Sequence, residues 1–438
     1  MPESIPRSET EDTAVESEST IRASRISSAM GLPNLRGNGK FLAANLIDSL
    51  GNGAMLAFQV AFFVMTTDLS AIQIGGAVTL ARLLSLPAPL LVGPAMDRFG
   101  PRAVMTTGNL VSSVTFLGFL VADQVWSIML TGLLVQVGAA MFWTAQGALV
   151  ALAAKGGDRR RWFALVRVLR NLGIGAGGAL AAGALALFGP QGLTGLVVLT
   201  AVSFACAAWL IGTWAAGAGR PARADDDEQP SLPGDRATPS YLEVLRDGRY
   251  LRLVLANLAF VLASMILSVL LTVYIVDSLR EGAWLGGMLL LINTLVVILA
   301  QTVVIKKVEK VSPARVLVVA AVVDAVAFLL FALVASVPSV LVVAGLVLAT
   351  LFFTMGEMLT APSISELSIA LSREAARGRY LGFFQLSWGI GVAVAPYLFM
   401  GLIEIHATLP WLVLAGSMVA VIPLLLTLRT RPKENVRV

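Results

Sequence analysis

Twelve separate stretches of this chain are long and apolar enough to cross a lipid bilayer, and no other feature narrows its folding options so far. A helix of about 20 apolar residues spans the hydrocarbon layer. Runs of that kind lie at roughly 41–65, 71–95, 103–122, 126–153, 163–187, 193–217, 251–277, 283–304, 314–336, 339–362, 380–403 and 409–428. The rest of the chain agrees, because 57% of residues are hydrophobic and only 13% are charged. Soluble domains sit near half apolar and a quarter charged. The pattern specifies an all-α, multi-pass membrane protein.

Charge orients these spans. With the N-terminus in the cytoplasm, the inner loops hold Arg98 and Arg102; Lys155 and Arg159 to Arg161; Arg220 and Arg223; Lys306, Lys307 and Lys310; and Arg373, Arg377 and Arg379. The outer loops carry Asp68, Asp123, Asp277, Glu281 and Glu404, with Arg280 as the one basic exception. The positive-inside rule then places both termini in the cytoplasm, as expected for a protein of the plasma (inner) membrane. Basic residues spread over so many loops report topology rather than nucleic-acid binding. The lone cysteine, Cys206, excludes disulfides, and the lone histidine, His406, excludes histidine-clustered metal chemistry. No cofactor or metal is expected.

Residues 1–40 are polar and Ser-rich without an apolar core, which reads as a disordered cytoplasmic tail rather than a signal peptide. The longest polar interruption, 219–249, divides the spans six and six. Its Asp run and prolines mark a cytoplasmic linker, and "YLEVLRDGRYLRLV" reads as a short surface helix leading into span seven. The expected units are a six-helix bundle at 41–218, a second at 250–429, and a short tail at 430–438.

The two halves repeat. "MDRFGPRAVM" (96–105) lies against "VEKVSPARVL" (308–317), matching Asp97 with Glu309, Arg98 with Lys310 and Pro101 with Pro313. "MFWTAQG" (141–147) lies against "LFFTMGE" (351–357), and "RNLGIGAG" (170–177) against "LSWGIGVA" (386–393), with Arg161 against Arg377. Two parallel six-span repeats joined by a polar linker are the architecture of a rocking transporter.

The loop between spans two and three, Gly93-x-x-x-Asp97-Arg98-x-Gly100-x-Arg102, resembles the signature of the major facilitator superfamily. The resemblance extends over both halves, from about residue 40 to 430. It implies twelve transmembrane helices in two pseudo-symmetric six-helix bundles. It also implies a latch, in which Asp97, Arg98 and Arg102 contact the eleventh span and hold the cytoplasmic gate shut. Gly93 and Gly100 would allow close helix approach and the tight turn. Within the superfamily, "LIDSLGNG", "FTMGEMLTAP" and "ARGRYLGFFQLSWGIGVAVAP" look like the twelve-span drug:proton antiporters. Two patterns depart from that group. Trp143 stands where an Arg precedes Gln146-Gly147, and "GIGAGGALAA" lacks the fifth-span proline and final glycines. "GIGAGG" (173–178) also fits a dinucleotide fingerprint, but it lies inside an apolar helix, where small residues serve close helix packing.

Ionisable side chains at a helix centre in the bilayer cost about 2.5 kcal/mol or more, so each needs a partner or a function. Asp48 and Arg170 lie about two turns inside spans one and five, and Glu357 lies at a similar level in span ten. These are the expected proton- or cation-coupling residues, Glu357 first among them. A carboxylate among apolar walls takes a proton readily, and a nearby Arg opposes that uptake. The bland alternatives are a buried acid bonded to a neighbouring hydroxyl for Glu357, and a fixed Asp48–Arg170 ion pair between spans one and five. Arg170 is also placed to supply the charge missing at Trp143. Arg82, in mid-span two, reads as a structural partner or an attractor of anions; Asp324, in span nine, reads as a contact with a neighbouring helix. Trp143, Gln146, Asn171, Asn257, Asn293, Gln385 and Trp388 are the expected cavity contacts, since aromatic faces suit lipophilic or cationic compounds and amides adapt.

The sequence thus leads to a monomeric transporter in the lipid bilayer that exports a small amphipathic compound in exchange for protons by alternating access. It is not expected to be an enzyme. The first alternative is uptake or facilitated diffusion of a small metabolite, with an anion one option, and a more distant one is a non-transporting receptor.

Overall fold

The computed structural model describes residues 33, 35, 37–56, 59–154, 158–215, 241–282 and 284–428, and these contain no strand. The expected N-terminal tail apart from residues 33, 35 and 37–40, the C-terminal tail, the linker as far as residue 240 and the basic residues Lys155, Arg220 and Arg223 lie outside the described residues. The first half is built from α1 (Gly39–Leu56), α2 (Gln59–Thr66), α3 (Ala71–Ser85), α4 (Ala88–Phe99), α5 (Pro101–Phe119), α6 (Val125–Ala153), α7 (Arg159–Phe188) and α8 (Pro190–Gly212). The short α9 (Tyr241–Arg246) stands where the sequence indicates a surface helix. The second half continues with α10 (Gly248–Ser278), α11 (Trp284–Val308), α12 (Pro313–Val334), α13 (Ser339–Leu371), α14 (Arg377–Ile405) and α15 (Leu409–Leu426).

Nine of these helices are long and apolar enough to cross a membrane, and α3 with α4 makes a tenth span bent by 47°. The other two expected spans are helical but fall outside that count. The first consists of α1 and α2, on either side of residues 57 and 58; the other, α5, is 19 residues long and carries several hydroxyl and amide side chains. The bend follows from "SLPAP", because Pro87 and Pro89 lack the N–H groups that would carry the helix through.

Local chemistry fixes the turns. Gly100 (φ +83°) separates α4 from α5, and Gly189 (φ +57°) separates α7 from α8; each is followed by a proline at the first helical position. Only glycine takes such φ values without strain, and proline is preset to start a helix. Within α10 the winding loosens to π-helix over Ile266–Leu270 and Tyr274–Ser278.

In lipid, helices associate through close packing rather than through hydrophobic exclusion from water, so small residues decide which pairs approach. The run at 173–178 does this for α1 and α7. A Cβ on Gly173 would sit 2.6 Å from the Ser49 Cβ, one on Gly177 would fall on the Leu50 carbonyl, and one on Gly53 would fall on the Ile174 carbonyl.

One end of the bundle gathers Arg98, Arg102, Arg159–Arg161, Lys306, Lys307, Lys310, Arg373, Arg377 and Arg379, and is called the basic end below. The core cluster of the first half at this end, around Phe41, Trp162 and Trp214, also contains Ile369 of α13 and Leu381 of α14. The first-half cluster at the opposite end, around Phe62, Phe119 and Phe204, contains first-half residues alone. The two halves therefore share an apolar core at the basic end.

Candidate functional site

The polar contacts between the halves follow the same asymmetry. At the basic end, the last turn of α4 presents Asp97 to the start of α14. The Gly378 N–H donates to Asp97 Oδ1 at 2.5 Å, and Arg379 Nη1 to Oδ2 at 2.7 Å. A helix N-terminus offers unsatisfied N–H groups and a positive dipole end, so a carboxylate there is well placed. The approach depends on missing side chains. A Cβ on Gly93 would lie 2.9 Å from the Gly378 carbonyl, and one on Gly378 would meet the Gly93 carbonyl and the Asp97 carboxylate.

The second half answers with a reciprocal contact. Glu309, the repeat counterpart of Asp97, pairs with Arg161 in the first turn of α7. Beside it Arg160, almost fully buried, bonds Glu366 on α13 at 2.6 Å and the Val308 and Val311 carbonyls at 2.7 and 2.9 Å. Those carbonyls cluster at the C-terminal end of α11, where a cation is favoured. One guanidinium thus joins α7 to two elements of the other half.

Two residues of the expected latch go elsewhere. Arg102 donates to the Gly212 and Trp214 carbonyls at the end of α8, inside its own half. The carbonyls at that helix terminus, where a cation is favoured, hold it. Arg98 is exposed, its guanidinium 5.2 Å from the ring of Phe99. Of the motif's charged residues, Asp97 alone reaches α14.

Deeper in the bundle a second network joins the halves. Arg167 Nη2 of α7 donates to Glu357 Oε1 of α13 at 2.5 Å, and Asn293 of α11 donates to Oε2 at 2.9 Å and to Thr354 Oγ1 at 3.0 Å. The ion pair is partly accessible, with side chains 25% and 19% exposed. Sequence reasoning missed Arg167. Its signal was present, because it lies three residues before Arg170 and so on the same face of α7. Glu357 is accordingly bonded to an arginine and an amide, rather than to a neighbouring hydroxyl.

Arg170 stacks on Trp143, its guanidinium carbon 3.6 Å from the ring centroid. Asp48 is buried on α1, accepts from Asn52 at 3.1 Å, and lies within electrostatic reach of Arg170 without a direct ion pair. The alternative reading of a fixed Asp48–Arg170 bridge is not met: the aromatic face of Trp143 holds the guanidinium that would have closed it. Formally, the two acids Asp48 and Glu357 are matched in number by Arg167 and Arg170.

Several expected cavity contacts are spent on packing. Gln146 donates to Asn45 at 2.7 Å, tying α6 to α1, and Asn257 donates to Ser387 at 2.8 Å, tying α10 to α14; both are buried. Asn171 and Gln385 are half-buried, and Trp388 is exposed. Arg82 is exposed in the last turn of α3 beside the bend, with no ion pair among the described residues. Asp324 is buried against Gly356 of α13, where a Cβ would overlap its carboxylate, and its Oδ1 has no hydrogen-bond partner among the described residues.

Comparison with known proteins places the fold in a family. The sequence profile of the Major Facilitator Superfamily matches residues 41–396, and the chain belongs to that family. It is similar to the multidrug resistance protein MdtH of Klebsiella pneumoniae (strain 342), with 24% identity over 400 residues, covering 90% of this chain and 93% of the relative. Its fold is similar to that of a bacterial homologue of the iron transporter ferroportin in an outward-facing state, with a TM-score of 0.73 at 15% identity, covering 91% and 100% of the two chains. A third likeness is to the superfamily transporter FucP in its outward conformation, with a TM-score of 0.63 at 14% identity, covering 90% and 99%. The protein is therefore a multi-pass membrane transporter of this superfamily, whose members are transporters rather than enzymes.

Proposed function

We propose that this transporter exports a small amphipathic compound in exchange for protons, alternating between closure at the basic end and closure at the opposite end. The basic end faces the cytoplasm of the cell whose plasma membrane holds the protein, with both termini on that side. The observation that carries this reading is the Arg167–Glu357 ion pair, because its partners belong to different halves. It persists only while α7 and α13 stay together, so proton uptake by Glu357 and opening of the basic end favour each other. Asp97, Arg160 and Arg161 form the outer tier of the same closure. Trp143, with Arg170 laid across it one turn along α7 from Arg167, offers an aromatic surface suited to a lipophilic body. The name of the MdtH relative supports export.

Everted membrane vesicles carrying a respiration-driven pH gradient, reported by a quenched dye, test the proposal. Lipophilic cations and neutral drugs should collapse part of the gradient in wild type and leave it intact in Glu357→Gln. A broad panel that releases no protons from folded wild-type protein would sink the antiport reading. The alternative is uptake or facilitated diffusion of a small anion, favoured by the exposure of Arg82. It requires transport to survive Glu357→Gln and to fail in Arg82→Gln or Arg170→Gln.

A further inference from the structure

The linker side of the molecule carries a polar contact that neither the motif nor the ion pairs account for. Pro94 lies inside α4 and has no N–H to give the carbonyl four residues earlier, that of Leu90. A carbonyl left without its helical partner needs another donor when it is shielded from water. The donor here comes from outside the helix: the hydroxyl of Tyr241, the first residue of α9, bonds the Leu90 oxygen. The hydroxyl lies in a notch. A Cβ on Gly93 would stand 2.5 Å from it, and one on Gly382 of α14 would stand 3.5 Å from it.

The ownership of α9 gives this bond its meaning. Val244 is fully buried in the core of the second half, and Asp247, just beyond α9, caps α10 and accepts from Tyr380 of α14 at 3.0 Å. The short helix therefore moves with the second half, whereas Leu90 moves with the first. Burial pushes the Tyr241 phenol up to about 12, with Arg379 opposing and Asp97 adding to the shift, so the hydroxyl remains a donor at any physiological pH.

We infer that Tyr241 is a strut of the gate: it fastens the end of the inter-domain linker to the carbonyl that Pro94 leaves free on α4, and this bond must break whenever α4 and α14 separate. The proline, the glycine notch and the tyrosine form one device. Pro94 supplies the acceptor, Gly93 the space, and the linker the donor. The inference rests on the alternating-access reading above and adds the linker to the moving parts. It also gives the linker a fixed attachment about two helical turns from Asp97, so a pull on the linker acts directly on the α4–α14 seam.

The test measures the seam and not the cargo. In full-length protein in lipid nanodiscs, Cys206 is replaced by alanine and spin labels are placed at Phe99→Cys and Lys310→Cys, both exposed positions at the basic ends of opposite halves. Pulsed dipolar spectroscopy then gives the ratio of closed to open populations. Losing one hydrogen bond at the seam should raise the open fraction about fivefold in Tyr241→Phe. Pro94→Ala restores an amide to the Leu90 carbonyl, so Tyr241→Phe in that background should change the ratio by less than about twofold. The strut is overturned if Tyr241→Phe leaves the populations of the labelled parent unchanged. It is equally overturned if its effect is undiminished in Pro94→Ala, since a merely structural ring would act through packing in both backgrounds. A proton-release assay on the same samples reports separately on the antiport reading, so either idea can fail alone.

Discussion

Removing the charge from Glu357 should open the basic end and uncouple protons from transport in one step. In Glu357→Gln, Arg167 loses its anion while Asn293 keeps a side-chain oxygen to bond. The size of the effect follows from exposure. Fully exposed pairs are worth about 0–1 kcal/mol, whereas stripping a buried pair of one partner costs about 3–5 kcal/mol. Side chains 25% and 19% exposed lie between these limits. About 2 kcal/mol is therefore expected, which is a shift of about thirtyfold toward the basic-end-open state. Spin labels at positions 99 and 310 read that shift. Everted vesicles read the loss of compound-induced proton release. Arg167→Gln should produce a similar opening, and the double variant should open little further, because both singles break one interaction. Additive singles would refute the assignment of the pair as the link between the halves. So would Glu357→Gln vesicles that still release protons when a transported compound is added.

Other outcomes follow from neighbouring contacts. Asp97→Asn keeps the shape but loses the charge-assisted bonds to Gly378 and Arg379, so the open population should rise at least tenfold by the same spectroscopy, given about 1.5–3 kcal/mol per such bond. Gly177→Ala drives a Cβ onto the Leu50 carbonyl and should cost about 1–3 kcal/mol in detergent unfolding, whereas Gly175→Ala, which faces open space, should cost nothing. Gly356→Ala should destabilise by a similar amount through Asp324, and Asp324→Ala should relieve much of that loss in the double variant. With Tyr241 pushed up to about 12, its stabilising contribution is complete below pH 10 and disappears as pH rises through 12. The free energy of unfolding between pH 9 and 12 should therefore fall more steeply in wild type than in Tyr241→Phe.

Local chemistry made the fold readable, and distance in the chain hid the site. The apolar runs, the Gly-Pro turns at 100–101 and 189–190 and the glycine face of α7 depend on residues within one or two helical turns, where spacing is informative. The bend between α3 and α4 was written in "SLPAP", yet a count of apolar residues passes over it. Asp97 could be placed against the eleventh span because its motif resembles a known one; its Arg neighbours, carried along by the same motif, turned to other carbonyls. Arg160 and Glu366 lie 206 residues apart. Nothing in a single sequence says which of many loop arginines meets which acid. Arg167 was hidden for a simpler reason: it stands between a basic loop and the more conspicuous Arg170, and belongs to neither.

The apolar core shared across the basic end has a thermal consequence. Ile369 and Leu381 of the second half are dry only while packed among Phe41, Trp162 and Trp214 of the first. Each opening wets that surface, and wetting apolar area raises the heat capacity. The free energy of opening is then a curved function of temperature, so transport plotted as log rate against inverse temperature should bend rather than run straight. Cooling weakens the hydrophobic part of the seal, so the charged contacts around Asp97 and Arg160 carry a growing share of closure in the cold.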